Sequence, residues 1–154
     1  MSAEHAMVRS ILVGTDGSST AGAAVSYAIE MARALHARLQ IVSAYEPVAG
    51  EPARAQRLHA PPDIQWTVQP REDVLALLGA ARREAEAAGV EEIETFPRVG
   101  DAADAILDVA EEQRSDLIVV GNKGMTGATR FLLGSVPNKV SHHAPCSVLI
   151  VRTS

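Results

Sequence analysis

The sequence has one cysteine, few aromatic residues, no excess of positive charge and no long apolar run. Cys146 cannot form an intramolecular disulfide by itself, so we expect a protein of the reducing cytoplasm. Aromatic residues make up 3% of the chain, too few for the stacking platforms that bind single-stranded nucleic acid. The formal net charge of −5 offers no basic surface to duplex nucleic acid. No run approaches the roughly 18 apolar residues of a membrane span, and residues 1–10 lack the apolar core of a signal peptide. We therefore expect neither a nucleic-acid nor a membrane partner, and a small phosphate ligand remains open.

Length and hydrophobic content favour one globular domain. The chain has 154 residues, of which 47% are hydrophobic. A chain of this size buries roughly 68–70% of its unfolded surface when it folds. We expect a single domain over residues 1–154.

Short aliphatic runs alternate with longer segments whose apolar residues recur every three or four positions, as strands alternating with helices do. The runs predict five strands, at residues 10–14, 39–44, 93–97, 117–120 and 147–151. Four helices are predicted between them: one capped by Ser18 or Ser19, one from about Pro70 to Gly89, one capped at or near Asp101, and one over residues 135–143. This order predicts an α/β fold, an open and doubly wound parallel sheet of Rossmann-like type.

Residues 46–70 interrupt this alternation. They contain five of the eight prolines, Pro47, Pro52, Pro61, Pro62 and Pro70. The segment predicts an irregular insertion, and its residues do not decide between a functional loop and a partly disordered one.

A glycine-rich loop follows the fourth predicted strand, with the pattern G-x2-G-x9-G-S formed by Gly121, Gly124, Gly134 and Ser135. Glycines let phosphate oxygens approach the backbone closely, and the amides of Gly134, Ser135 and Val136 stand at the positive end of the next helix. The Ser135 hydroxyl adds a further hydrogen-bonding group. The loop therefore predicts a cradle for an anion.

Two cations in the same loop, Lys123 and Arg130, could add charge to this cradle. The alternative is that the glycines only serve the turns between a strand and a helix. Neither the Walker A pattern nor G-x-G-x-x-G is present, so a bound phosphate would be held by a different arrangement.

Asp16 follows the first predicted strand, in the other loop that ends at the switch point of such a sheet. A carboxylate there can accept both hydroxyls of a ribose, and the alternative is a turn former or helix cap. The backbone of Ser43 and Ala44, at the end of the second strand, could pair with the edge of a purine.

No residue pattern marks a catalytic or metal-binding group. His142 and His143 are adjacent on a helix and cannot easily bind one metal ion together. Cys146 has no assignable histidine partner, so a small core residue is the better interpretation. We assign no catalytic residue and no metal ligand, and expect at most a weak enzymatic activity.

Two stretches resemble the universal stress protein family, in its ATP-binding type. One is residues 11–18, Ile-Leu-Val-Gly-Thr-Asp-Gly-Ser, and the other is residues 119–151, with the glycine pattern and His-His-Ala-Pro-Cys. The resemblance spans the domain and is weak only over residues 46–70. It implies strand order 3-2-1-4-5 and a homodimer paired through the fifth strand, from Val148 to Val151.

The resemblance also implies the residues that hold the nucleotide. Adenosine would contact Gly14, Thr15 and Asp16, with Asp16 on the ribose, and the adenine would meet the backbone of Ala44. The phosphates would lie among the loop residues and the start of the last helix, namely Gly121, Asn122, Lys123, Gly124, Arg130, Gly134, Ser135 and Val136.

ATP, with or without Mg²⁺, is the expected ligand, because a triphosphate needs several positive partners and Lys123 and Arg130 supply two. Cyclic AMP is the alternative, since its single negative charge could be met by the helix terminus and Ser135 alone. Members of the family act in stress survival as nucleotide-dependent regulators, which is the function the resemblance implies. A slow ATPase or phosphotransferase and a nucleotide-free interaction module are the remaining alternatives.

Overall fold

Five strands and four helices alternate along residues 8–45, 71–122 and 134–152, the part of the chain that the computed structural model describes. The strands are β1 (Ser10–Gly14), β2 (Arg38–Tyr45), β3 (Ile93–Val99), β4 (Leu117–Gly121) and β5 (Ser147–Val151). The helices are α1 (Ser19–Leu35), α2 (Arg71–Ala88), α3 (Ala102–Gln113) and α4 (Ser135–His143). The predicted insertion at residues 46–70, including Pro70, lies outside the described residues.

The strands form one parallel sheet in the order β3-β2-β1-β4-β5. Val13 in the central strand pairs with Ile41 on one side and with Val119 on the other. The predicted fold class and strand order are confirmed. Because the winding reverses between β1 and β4, the carboxyl ends of β1, β2 and β4 surround a crevice where ligands bind in sheets of this kind.

Aliphatic side chains cover both faces of the sheet. Ile11 and Val13 point into a core shared with α1 and α2, whereas Leu12, between them in sequence, points into a core shared with α3 and α4. All three are completely buried. Burial of each such side chain contributes roughly 1.5–3 kcal/mol, so this alternation holds β1 rigidly at the centre of the molecule.

The helix ends follow the predicted local signals. Ser18, rather than Ser19, caps α1, and its hydroxyl accepts the Ala21 N–H at 3.1 Å. Asp101 caps α3 by accepting the Asp104 N–H at 3.0 Å. Gly89 follows α2 with a φ of 99°, the left-handed conformation predicted for it.

The predicted strand ends agree with the structure to within one residue, except at the end of the third strand. The third strand was expected to stop near Pro97, but β3 continues to Val99, and Pro97 is paired with Ser43 of β2. β3 lies at the edge of the sheet, where a strand has neighbours on one side only, so a proline without an N–H is tolerated within it.

Candidate functional site

A pocket lies at the crevice between the carboxyl ends of β1, β2 and β4. Its empty volume is about 500 Å³ when the open mouth is counted. The residues that the strands and the loop after β1 contribute to its wall are Gly14, Thr15, Asp16, Val42, Ser43, Ala44, Val120 and Gly121. The loop after β1 and Gly121, the first residue of the predicted glycine-rich loop, therefore border the same space.

Helices close the pocket from both sides of the sheet, mostly with small side chains. α3 contributes Ala102, Ala105 and Ile106, α4 contributes Val136 and Pro137, and α1 contributes Ala21. Because these alanines have short side chains, the space above the carboxyl ends of the strands stays open and forms the pocket.

The loop after β1 is anchored to β2 by hydrogen bonds at both the N–H and the carbonyl of one residue, Thr15. The Thr15 N–H donates to the Val42 carbonyl at 3.0 Å, and the Ser43 hydroxyl donates to the Thr15 carbonyl at 2.6 Å. Thr15 and Ser43 are both buried. In addition, the Gly17 N–H donates to the Thr15 hydroxyl oxygen at 3.3 Å. The residue between Thr15 and Gly17 is thus held in a defined position.

That residue, Asp16, is a turn former, which was the alternative to a ribose-binding residue, and it also lies at the pocket. Its Oδ1 accepts the Ser18 N–H at 2.9 Å, so it does form the turn that leads into α1. Asp16 also lines the pocket and is only half-buried. A carboxylate has two oxygens, and the turn is satisfied by one of them.

The amino end of α4 faces the same pocket, but it offers fewer amides than predicted. The Gly134 N–H donates to the Asn122 carbonyl at 3.0 Å and so is already paired. Ser135 and Val136 occupy the first two helical positions, whose N–H groups have no acceptor within a helix. The next residue, Pro137, has no N–H. The described part of α4 therefore supplies two main-chain donors to an anion rather than three.

Gly121 has a structural reason to be glycine. A Cβ atom at this position would lie 2.7 Å from Thr20 Cγ2 and 3.1 Å from the Thr20 carbonyl oxygen. The first turn of α1 therefore packs directly against the end of β4. This reason is close packing against Thr20 and not the turn that the alternative interpretation expected, and Gly121 also lines the pocket.

Three predicted phosphate-binding residues, Lys123, Gly124 and Arg130, lie outside the described residues. Ala44 is buried and lines the pocket next to Ser43. Asn122 joins β4 to β5, because its N–H donates to the Val151 carbonyl at 3.0 Å.

The cysteine and the histidines lie away from the pocket wall. Cys146 packs against the core beneath α3 and α4, and burial, followed by the negative charge of Asp116, raises the pKa of its thiol. His142 and His143 are exposed at the end of α4. Across residues 8–45, 71–122 and 134–152, no group of three or more His, Cys, Asp or Glu side chains could hold a metal ion. No helix in these ranges is long and apolar enough to cross a membrane.

The residues of α3 that line the pocket are not among the site residues predicted from the sequence. A signal for them exists, because Asp101 caps the helix and places Ala102 in its first turn. In a doubly wound sheet the first turns of the helices lie at the carboxyl edge, beside the ligand crevice. Ala105 and Ile106, one turn further on, could have been found in the same way.

Comparison with known proteins gives one consistent relationship. The model of the universal stress protein family matches residues 7–152. A universal stress protein of Mycobacterium tuberculosis strain H37Rv is 40% identical over 146 residues, which cover 95% of this chain and 97% of that protein.

Solved structures agree with this relationship. A crystal structure of a universal stress protein in complex with cAMP is 36% identical, covers 97% of this chain and 100% of its own, and has a TM-score of 0.72. A universal stress protein family member from Arabidopsis thaliana, crystallised with AMP bound, has a TM-score of 0.62 over 95% of this chain and 92% of its own. At 19% identity, that second likeness concerns the fold only.

Proposed function

The chain belongs to the universal stress protein family, and we propose that it binds an adenine nucleotide in the pocket between the ends of β1, β2 and β4. One observation carries the proposal: Asp16 and the first turn of α4 border the same pocket. A carboxylate on one side and unpaired helix amides on the other match the hydroxyls and the phosphate of a nucleotide. The relative crystallised with cAMP supports the same ligand class.

Each part of the nucleotide has a candidate partner. The Asp16 oxygen that the turn does not use is proposed to accept the ribose hydroxyls. The purine would lie over the end of β2, near Ala44 and between the small side chains of α3. The N–H groups of Ser135 and Val136, with the Ser135 hydroxyl, would hold a phosphate, and the positive end of α4 favours the negative charge there.

ATP is the first candidate ligand, because Lys123 and Arg130 of the glycine loop would add positive charge for further phosphates. A bound Mg²⁺ would balance part of the negative charge of the triphosphate. Cyclic AMP is the second candidate. It is favoured by the 36% identical relative that was crystallised with it, and by the two main-chain donors of α4, which suit a single phosphate.

We further propose that nucleotide occupancy acts as a regulatory signal in a homodimer. β5 is the outer strand of the sheet opposite β3, and Val148, Leu149 and Ile150 on it are only half-buried. An apolar edge strand of this kind invites pairing with another strand, and a second copy would cover it. Analytical ultracentrifugation is expected to give twice the monomer mass, whereas a monomer at micromolar concentration would contradict the dimer.

The binding proposal is tested by extracting and titrating the protein. Freshly purified protein is denatured and any released nucleotide is identified by mass spectrometry. The emptied protein is then titrated with ATP and with cAMP, with and without Mg²⁺, while phosphate release is followed. Recovered adenine nucleotide, or saturable binding of one of the two, is expected. Absence of both would remove the proposal, and steady phosphate release would turn it into a slow ATPase.

Asp16→Asn tests the ribose assignment. Asparagine keeps the Oδ1 that accepts the Ser18 N–H, so the turn is retained while the charge is removed. Loss of a hydrogen bond to a charged group costs roughly 1.5–3 kcal/mol, which corresponds to about a tenfold to hundredfold weaker binding. Asp108→Asn is the matched control, because Asp108 is exposed on α3 and is not part of the pocket wall. Equal affinity in both variants would refute the assignment.

A further inference from the structure

Gly14, the last residue of β1, leaves a space that another side chain fills. A Cβ atom at Gly14 would lie 2.5 Å from Cδ1 and 2.9 Å from Cγ1 of Ile106. Gly14 is not among the glycines with positive φ, so its backbone conformation is open to other residues. An added Cβ at this position would therefore disturb the packing of Ile106 and not the backbone conformation.

The backbone segments on both sides of this contact are held in place. β1 is the central strand and is hydrogen-bonded to β2 and β4, with Gly14 in register with Val42. α3 is held by buried packing, since Val109 is 0% exposed, and by Lys139 of α4, whose Nζ lies 2.8 Å from Asp104 Oδ1. An added Cβ at Gly14 could therefore be accommodated only by a shift of the Ile106 side chain.

Ile106 is also part of the pocket wall. It is 4% exposed, and the other two residues that α3 contributes to the wall, Ala102 and Ala105, have only a methyl group each. Among the pocket residues of this helix, Ile106 alone carries a long side chain. Its side chain approaches Gly14 and so occupies space between α3 and the end of β1.

We propose that Ile106 is a specificity-determining residue, which closes the floor of the pocket and sets how deep the purine can enter. Gly14 then serves mainly to make room for Ile106, and its contribution to binding is indirect. This inference rests on the proposed adenine-nucleotide function. It adds a ligand preference: purines without extra substituents are accepted, and a purine with a substituent on its inward edge meets the isoleucine tip.

The experiment shortens the side chain at position 106 and measures whether the pocket then binds a purine with a larger substituent. Ile106→Ala removes Cγ1, Cγ2 and Cδ1, and Ile106→Val is the milder change. Dissociation constants are measured by titration calorimetry for the tighter of ATP and cAMP, and for its analogues with chlorine at C2, a benzyl group on N6 or bromine at C8. Val109→Ala is the matched control, because Val109 is buried on the same helix but is not part of the pocket wall.

In Ile106→Ala, we expect the affinity for at least one analogue, relative to the unsubstituted nucleotide, to rise roughly tenfold, the size of effect that a few methyl or methylene groups have in an apolar pocket. The ratios in Val109→Ala should match those of the unmodified protein. A purely structural role would lower thermal stability and leave every ratio unchanged, and that outcome overturns the inference. If Ile106→Ala fails to fold, the same comparison is made with Ile106→Val.

A double substitution tests the contact with Gly14. In Gly14→Ala the new methyl group displaces Ile106, and we expect binding of the unsubstituted nucleotide to weaken roughly tenfold. Gly14→Ala combined with Ile106→Ala should recover most of that loss, and additive losses would overturn the coupling. Failure of the unmodified protein to bind ATP or cAMP would remove the proposed function itself. Binding with unchanged ratios in every variant would refute only the role of Ile106.

Discussion

The Ser43 hydroxyl donates a 2.6 Å hydrogen bond to the carbonyl oxygen of Thr15, and both residues are buried. This bond connects the end of β2 to the loop after β1. It fixes the peptide group immediately before Asp16, so the position of the proposed ribose-binding carboxylate depends on a residue of the neighbouring strand.

Ser43→Ala is expected to loosen this loop. The substitution leaves the buried Thr15 carbonyl without its partner, which costs roughly 1–3 kcal/mol of folding stability. Nucleotide binding should weaken as well, because Asp16 is no longer held in place. Urea unfolding and calorimetric titration measure the two effects. The control is Ser26→Ala, which removes an exposed serine bond of 3.2 Å to Glu84 and should change stability by less than about 0.5 kcal/mol. Similar losses in both variants would contradict the anchoring role.

Gly121→Ala is expected to destabilise the protein whether or not a nucleotide binds. The added methyl group would meet Thr20 Cγ2 at 2.7 Å, and overpacking of this kind costs roughly 1–3 kcal/mol. Gly22→Ala on α1 provides the opposite case, because a Cβ there has no atom within 4 Å. It should stabilise the helix by roughly 0.4–1 kcal/mol. Thermal unfolding of the two apoproteins tests the pair, and equal shifts in melting temperature would refute this account of Gly121.

Gln40 and Ser115 form a buried polar pair beneath α3. The Ser115 hydroxyl donates to Gln40 Oε1 at 2.6 Å, while Gln40 Nε2 has no hydrogen-bond partner among the described residues. Ser115→Ala should cost roughly 1–3 kcal/mol, because it leaves the amide of a fully buried glutamine without any partner. Gln40→Met combined with Ser115→Ala should be at least as stable as the unmodified protein, since no unpaired polar group then remains.

A double-mutant cycle in urea measures this coupling. The free energy of unfolding is measured for the unmodified protein, for Ser115→Ala, for Gln40→Met and for the double variant. Strictly additive losses, with a double variant less stable than either single one, would show that the pair is not coupled.

The Cys146 thiol is expected to ionise only at high pH. Burial, followed by the charge of Asp116, raises its pKa above the ordinary value of 9.0. The folded protein therefore holds this proton over a pH range in which the unfolded chain has lost it. The thiol's contribution to stability is complete below pH 9.0 and is lost as the pH rises towards the folded pKa. Because Cys146 is the sole cysteine, the pH dependence of iodoacetamide alkylation reports its ionisation directly. The midpoint in folded protein should lie above that in urea-unfolded protein, and coincident midpoints would contradict the prediction.

The order of the elements, the approximate positions of their caps and the family all follow from the sequence alone. Ser18, Asp101 and Gly89 act on backbone groups a few positions away, and the apolar periodicity of each helix is equally local. Such signals depend on neighbours along the chain, so they can be identified without the fold. Asp16 and Ser135 could be assigned to the carboxyl edge of the sheet in the same way. Asp16 comes shortly after the first strand, and Ser135 begins the last helix.

What several of these residues contact depends on the three-dimensional fold. The side chain of Ile106 fills the space beside Gly14, and Thr20 fills the space beside Gly121. The Gly134 N–H donates a hydrogen bond to the Asn122 carbonyl. The first two contacts join elements that are brought together by crossovers of the chain, and the third joins the two ends of the glycine-rich loop. No local pattern encodes contacts between residues so far apart in sequence. The glycine motif thus indicated where an anion could bind, and packing between α1, α3 and the strand ends determined the shape of the pocket around it.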